Sequence, residues 1–365
     1  MGYYPIYSEN LNSEHFCSRK SGRMDIIMVK YILKRIALSI LILIGVSIII
    51  YALIRCMPVS YIETRIATMN QGGATIPEET VDSMYKMYGL DRDFNNKDFM
   101  GKVQSIASGY FGWLVNICKF DFGTSFKYNA PVLEVIRDHM GVSFAVALIA
   151  TVFEFLIAIP LGITAATHQY SIRDYVVTFV VMIGISLPSF FFGQVLKMLA
   201  MNLGWTKTSG LGNATQTLTG MAYILDYLQY MILPVLTVVI LSIGGRMRMT
   251  RTNMLEVLNS DYIRTARAKG LKEKIVIYKH AFRNTLIPLV TSLAGLLPSL
   301  FSGAIITEQV FDLPGIGNKA FQAMFEGDIP FIMGYNMFLA LLSVIGVLLA
   351  DLMYAAVDPR VKLTS

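Results

Sequence analysis

Six stretches of about 20 mainly apolar residues dominate this chain, and that is the length a helix needs to cross a hydrocarbon core of about 30 Å. They run from Tyr31 to Ile54, Val142 to Ala166, Tyr175 to Met201, Gln229 to Gly245, Thr285 to Ile306 and Phe331 to Val357. Lipid offers backbone amides no partner, so such runs must close their own hydrogen bonds as helices. The expected fold is an all-α polytopic membrane protein with six transmembrane helices. Composition agrees, with 54% hydrophobic and 15% charged residues against about 45–50% and about 25% in soluble domains. A disordered chain is excluded, and an ordinary cytosolic enzyme is disfavoured. Pro160, Pro188, Pro234, Pro288 and Pro298 fall in or beside the runs, where kinks are expected. The first run has the basic front of a signal peptide, but it is too long and lacks a small-residue cleavage site. It reads as a retained helix.

Loop charge sets the orientation. Residues 246–283 carry Arg246, Arg248, Arg251, Arg264, Arg267, Lys269, Lys272, Lys274, Lys279 and Arg283 against only Glu256, Asp261 and Glu273. The segment 307–330 has Lys319 as its sole base, facing Glu308, Asp312, Glu326 and Asp328. The positive-inside rule places the first segment in the cytoplasm and the second outside. Lys30, Lys34 and Arg35 put the N-terminus inside, and Arg360 and Lys362 put the C-terminus there too. The chain thus divides into a cytoplasmic extension (1–30), a first transmembrane helix (31–54), an extracytoplasmic segment (55–141), a transmembrane domain with helices two to six and the loop 246–283 (142–357), and a cytoplasmic tail (358–365). Residues 55–141 are water-compatible and read as a small extracytoplasmic lid, with a short amphipathic helix expected after Pro77. Trp113 and Trp205 fall in outer segments, at the level where aromatics meet headgroups. Cys17, Cys56 and Cys118 form no CxxC pair, which argues against zinc and leaves a Cys56–Cys118 bridge open.

The basic loop carries more pattern than orientation requires. Ser260 or Asp261 can start a helix, and Gly270 can take the left-handed conformation that ends one. Small residues Thr265, Ala266 and Ala268 make this helix thin, and a second helix should follow with Ile275, Tyr278, Ala281 and Phe282 on one face. A solvated basic loop is the plain alternative; clean caps and a small-residue centre favour a docking element.

Arg264-Thr-Ala-Arg-Ala-Lys-Gly270 resembles the EAA loop of ABC importer membrane subunits, whose E-A-A-x-x-x-G core forms a coupling helix. Arg264 and Thr265 replace the Glu and first Ala of that core; Ala266 and Gly270 match it. The departures, with His280-Ala-Phe-Arg-Asn284 following, resemble the dipeptide/oligopeptide/nickel permease branch. Other pieces resemble the same branch in order along the chain: Tyr31-Ile-Leu-Lys-Arg-Ile36, Asp121-Phe-Gly-Thr-Ser125, Glu308-Gln-Val-Phe-Asp-Leu-Pro-Gly-Ile-Gly317 and Asp358-Pro-Arg360. Met57-Pro-Val-Ser60 and the Thr-rich 206–219 segment depart from it.

That resemblance implies a type I ABC importer fold in a prokaryotic plasma membrane and the permease role for short peptides. Nickel, metal-chelate or other small-solute import is the alternative within the family, and a self-sufficient channel or secondary transporter the alternative from another class. The implied partners are a second homologous permease, two ATP-binding subunits, an extracytoplasmic solute-binding protein and membrane lipid, with no nucleic acid. The chain has no G-x-x-x-x-G-K-[ST] loop, so ATP and Mg²⁺ belong to the partner ATPases and no cofactor is expected here. The family assigns ATPase coupling to Asp261, Tyr262, Arg264, Thr265, Ala266, Arg267, Ala268, Lys269, Gly270 and Leu271. Glu154 lies inside the second run, where a charge costs several kcal/mol unless it faces protein or water. It is either a translocation-path group or a hydrogen-bonded packing residue. No catalytic or metal-binding set is found; His280 lacks a second nearby ligand.

Overall fold

The computed structural model describes residues 33–52, 98–211, 220–292 and 295–357. The helix expected after Pro77, Cys56 and both tails lie outside them. Among the described residues the fold is helical, with one isolated β-bridge between Thr124 and Pro131. The helices are α1 (Leu33–Ala52), α2 (Phe99–Cys118), α3 (Val132–Thr167), α4 (Ile172–Ser186), α5 (Ser189–Asn202) and α6 (Met221–Leu258). They continue with α7 (Asp261–Ala268), α8 (Glu273–Ile275), α9 (Phe282–Ser292), α10 (Leu296–Ser302), α11 (Ile305–Val310), α12 (Ile316–Phe325) and α13 (Ile329–Val357).

Four helices, α1, α3, α6 and α13, are long and apolar enough to cross a membrane, or five spans if α4 and α5 count as one. Those two are bent by 99°. Leu187 is extended (φ −87°, ψ 131°) because the Pro188 ring excludes the helical conformation before it. The expected kink in the third run is therefore a sharp corner. The fifth run, expected as one helix, is broken into α9, α10 and α11, with Gly303 at φ +74° between the last two.

Two helices outgrow their apolar runs. The 36-residue α3 starts ten residues before Val142, and Val132, Val135 and Ile136 bury one face of the extra turns. The 38-residue α6 runs on to Leu258, so Arg246, Arg248 and Arg251 are helical rather than part of a loop. At about 1.5 Å per residue α3 is about 54 Å long, well beyond the hydrocarbon core. It pairs most extensively with α6. A Cβ on Gly162 would lie 2.6 Å from Cβ of Thr250, and one on Gly244 would lie 2.2 Å from Ile185 Cδ1. Small residues thus let the backbones approach, the usual device where no hydrophobic effect separates helix from lipid.

The two ends of α3 bury different clusters. Val132, Val135 and Ile136 pack with Ile316, Phe331 and Met333 at one end. Ile163 and Ala166 pack with Ile263, Ala266 and Val276 at the other. The basic segment after α6 and the acidic segment after α11 therefore sit at opposite ends of the bundle. Arg35 and Asp351 pair at 2.9 Å, which joins the start of α1 to the far part of α13. The partner of Asp351 is thus an arginine of the first helix rather than of a loop.

Candidate functional site

At the basic end the chain makes an elbow. Ser260 is extended (φ −74°, ψ 153°) and opens α7 as expected. Its hydroxyl donates to the Val257 carbonyl at 2.6 Å and does not cap the helix. Gly270, at φ +72°, closes it. The Gly270 amide donates to Arg267 O at 2.9 Å and the Leu271 amide to Ala266 O at 3.4 Å, the paired bonds that end a helix through a left-handed residue.

Burial divides the sequence-predicted coupling residues. Asp261, Tyr262, Arg264, Thr265, Arg267, Ala268, Lys269, Gly270 and Leu271 are exposed, whereas Ala266 is buried beside Ile263. Ala266 faces its own bundle, packed among Ile163, Met254, Val276 and Ala281. Arg267 donates through Nε and a terminal nitrogen to Glu273 at 3.2 and 2.7 Å, closing the elbow on its outer side. That contact holds the Glu273 carboxyl below its usual range and raises the Arg267 guanidinium.

The helix after the elbow has a different face from the one the sequence suggests. Residues Val276–Ala281 form a π-turn, so the inward positions fall five apart, at Val276 and Ala281. Tyr278 and Ile275 are exposed instead. An α-helical period cannot anticipate a π-turn.

Glu154, on α3, is nearly buried and paired. Arg246 Nε lies 3.1 Å from its Oε1, and another Arg246 nitrogen donates to Ser292 Oγ at 3.1 Å. The guanidinium also stacks 4.6 Å from the Phe155 ring centroid. One arginine thus ties α3, α6 and α9 together. A second pair lies further along α6, where Arg251 grips both oxygens of buried Asp174 at 3.0 and 2.8 Å. Loop counting assigns Arg246 and Arg251 to the cytosol; their carboxylates lie 92 and 77 residues away, beyond any local pattern.

The opposite end is locked by Glu308, which is fully buried. Its carboxylate accepts from Ser143 Oγ at 2.6 Å and from the Asn318 amide at 2.8 Å. Ser143 Oγ also accepts the Ile316 amide at 2.9 Å, so both residues serve the amide-rich start of α12. Burial raises the Glu308 carboxyl, and hydrogen bonds led by Ser143 oppose the rise. A Cβ on Gly303, Gly315 or Gly317 would meet this carboxylate at 2.5, 2.4 or 2.9 Å. Gly315 and Gly317 were legible in the sequence only as part of the Glu308–Gly317 family pattern, and Gly303 lies outside it.

Nearby, Asp328 accepts the Lys127 amide at 3.1 Å and the Phe331 amide at 3.2 Å, and Ser125 donates to it as well. The Asp121–Ser125 motif is thereby fastened to the start of α13. Trp113, expected at headgroup level, is buried in the cluster that joins these segments, whereas Trp205 is 39% exposed.

Long apolar helices, some bound by ion pairs within their length and others by polar knots at the ends, define a multi-pass integral membrane protein. The chain belongs to the family of binding-protein-dependent transport system inner membrane components, whose description matches residues 158–363, with its N-terminal counterpart matching residues 28–147. It is 36% identical over 337 residues to the oligopeptide transport system permease protein AppB of Bacillus subtilis (strain 168), covering 92% of this chain and 100% of that one. It is 30% identical over 354 residues to the dipeptide transport system permease protein DppB of Escherichia coli (strain K12), covering 92% and 99%. Among solved structures, a chain of the inward-facing MetNI methionine ABC transporter aligns with a TM-score of 0.48 and 16% identity, covering 62% of this chain and 97% of that one.

Proposed function

We propose that this chain is the permease subunit of an ATP-driven importer of short peptides, with six spans, both ends in the cytoplasm, and the elbow at residues 259–281 facing the ATPase. The permease relatives named for oligopeptide and dipeptide transport match over nearly their whole length, which supports the peptide assignment. The positive charge of the elbow end supports the sidedness. A second permease, two ATPases and a solute-binding protein complete the proposed assembly, and hydrolysis belongs to the ATPases.

One observation carries the coupling reading: α7 is two-faced. Ile263 and Ala266 seat it in a buried cluster with Ile163, Met254, Val276 and Ala281, with the π-turn as its main neighbour, while Tyr262, Arg264, Thr265 and Lys269 point outward. A push on the outer face is delivered to the bundle through the inner one, which is the requirement for passing a two-state change across an interface. The Glu154–Arg246–Ser292 link then holds α3, α6 and α9 together as they move.

The test is reconstitution. The permease pair with both ATPases and the binding protein should import labelled peptide into liposomes only when ATP is supplied on the elbow side. Peptide flux through this chain alone, without ATP, would overturn the assignment in favour of a self-sufficient transporter.

A further inference from the structure

The segment between the first two spans reads as a water-compatible lid, and its described helix, α2, is mostly apolar. The 20 residues of α2 contain one charged side chain, Lys102, and no acid. Its large apolar residues point outward: Phe99 is 78% exposed, Met100 72%, Phe111 63% and Val115 50%. Val103, Met100, Phe111 and Val115 fall within about a third of the helix circumference at about 100° per residue, and Phe99 and Ile106 border the side that carries Tyr110. The inner side is held to the membrane-spanning α1. Tyr110 Oη lies 2.8 Å from Ser47 Oγ, and Tyr51 meets the Tyr110 and Trp113 rings at 5.6 and 5.9 Å between centroids.

Ser47 lies inside the first apolar run, seven residues before its expected end at Ile54, about 10 Å inward along the axis. The residues of α1 beside this contact, Ile48 and Ile49, are themselves half-exposed. Within a span, that surface faces lipid. The apolar face of α2 continues it, and polar groups mark the helix ends, Asp98 before it and Lys119 and Asp121 after it.

We propose that α2 is an interfacial helix, lying in the leaflet at the Glu308 end of the bundle with lipid acyl chains covering Phe99, Met100, Val103, Ile106, Phe111 and Val115. Amphipathic helices with a broad apolar face bury it about 5–10 Å into the boundary between headgroups and chains. A soluble partner that docks and leaves has better footing on the charged surface at Lys127 and Glu326, which pair nearby.

The test uses the complete chain in lipid nanodiscs, without ATPase, so that it does not depend on transport. Cys17, Cys56 and Cys118 are replaced by serine and single cysteines are placed at Val115 and Phe111, with Arg137→Cys as an aqueous control. Each is labelled with an environment-sensitive fluorophore. Lipid carrying a nitroxide near the headgroup should quench the Val115 and Phe111 probes several-fold more than the Arg137 probe, and aqueous iodide should show the reverse order. Equal iodide quenching at all three positions would overturn the proposal. So would shielding that occurs only after a binding protein or a second permease is added, because the face would then belong to a protein.

Discussion

Two adjacent positions on α7 separate its role as a mounted lever from its role as a contact surface. Ala266 is 8% exposed among Ile163, Met254 and Val276, whereas Thr265 is on the outer face. Replacing each with Leu puts the same branched side chain in opposite places, adding three carbons inside at Ala266 and a single heavy atom outside at Thr265. At Ala266 the new branched carbons have no room, and overfilling a packed site costs about 1–3 kcal/mol. At about 1.4 kcal/mol per factor of ten, the opening equilibrium of the elbow should rise roughly 5- to 150-fold. Hydrogen exchange of residues 259–281 in the nanodisc-embedded complex reads this directly. Ala266→Leu should accelerate exchange across the segment and uncouple ATP hydrolysis from peptide uptake, with the ATPases still bound. Thr265→Leu should leave exchange unchanged and weaken co-purification of the ATPases. If Ala266→Leu loses uptake while exchange stays at the wild-type rate, α7 is not mounted through this face and the lever argument fails.

Three further outcomes follow from the polar contacts, two of them buried and one at the surface. Glu308→Ala should lower the apparent melting temperature of the detergent-purified protein sharply, since stranding the Ser143 hydroxyl and the Asn318 amide costs about 1–3 kcal/mol each; Gly315→Ala, whose Cβ would sit 2.4 Å from the same carboxylate, should lower it too. Arg246→Met should destabilise by about 3–5 kcal/mol by leaving Glu154 unpaired in the bundle, and adding Glu154→Gln should recover most of that loss in the same melting assay; simple additivity would mean the pair does not act as a unit. The Arg267–Glu273 contact is about half exposed, so it contributes only about 0.2–1 kcal/mol to elbow closure. Because Glu273 titrates below its usual range when folded, this contribution is present at neutral pH and is lost as pH falls through the folded-state value. Limited proteolysis of the elbow should therefore accelerate only once the pH falls below the ordinary carboxylate range, and Glu273→Gln should remove that dependence.

What the sequence revealed was local, and what it concealed was long-range. Period and cap chemistry lie within a few residues of one another, so Ser260 and Gly270 marked both ends of α7. The apolar runs likewise located the cores of the spans. Their ends were misplaced where a helix leaves the lipid, because an exposed α-turn bearing Glu134, Arg137 and Asp138 looks like a loop to a hydropathy count. The corner at Pro188 was visible as a proline but not as a 99° turn, since packing of α5 against α6 and α11 sets the angle. Charge counting did not reveal that Arg246 and Arg251 are helical and paired, for a related reason: the rule sums cations along the chain, whereas the structure neutralises these two across helices. Glu308 was counted as an outer acid, and only the three glycines around it betray that its carboxylate is enclosed.

These fasteners share one element. Ser143, Glu154 and the Ile163–Ala166 turn all lie on α3, and each reaches a different neighbour: the start of α12, Arg246 of α6, and the elbow. Ser143 and Glu154 are 11 residues apart, about three turns, so they share one face of the helix. Buried polar contacts and close-packed glycine crossings have few intermediate geometries, so such an element moves as a body or not at all. Under the proposed coupling, a displacement of the elbow would reach the Glu308 knot along α3, over the 20 residues from Ile163 back to Ser143 (about 30 Å) and past Pro160, rather than through a chain of small side-chain adjustments. In the proposed motion the Glu154–Arg246 link would select the direction, because shearing α3 against α6 would separate the pair, whereas tilting the two helices together would not.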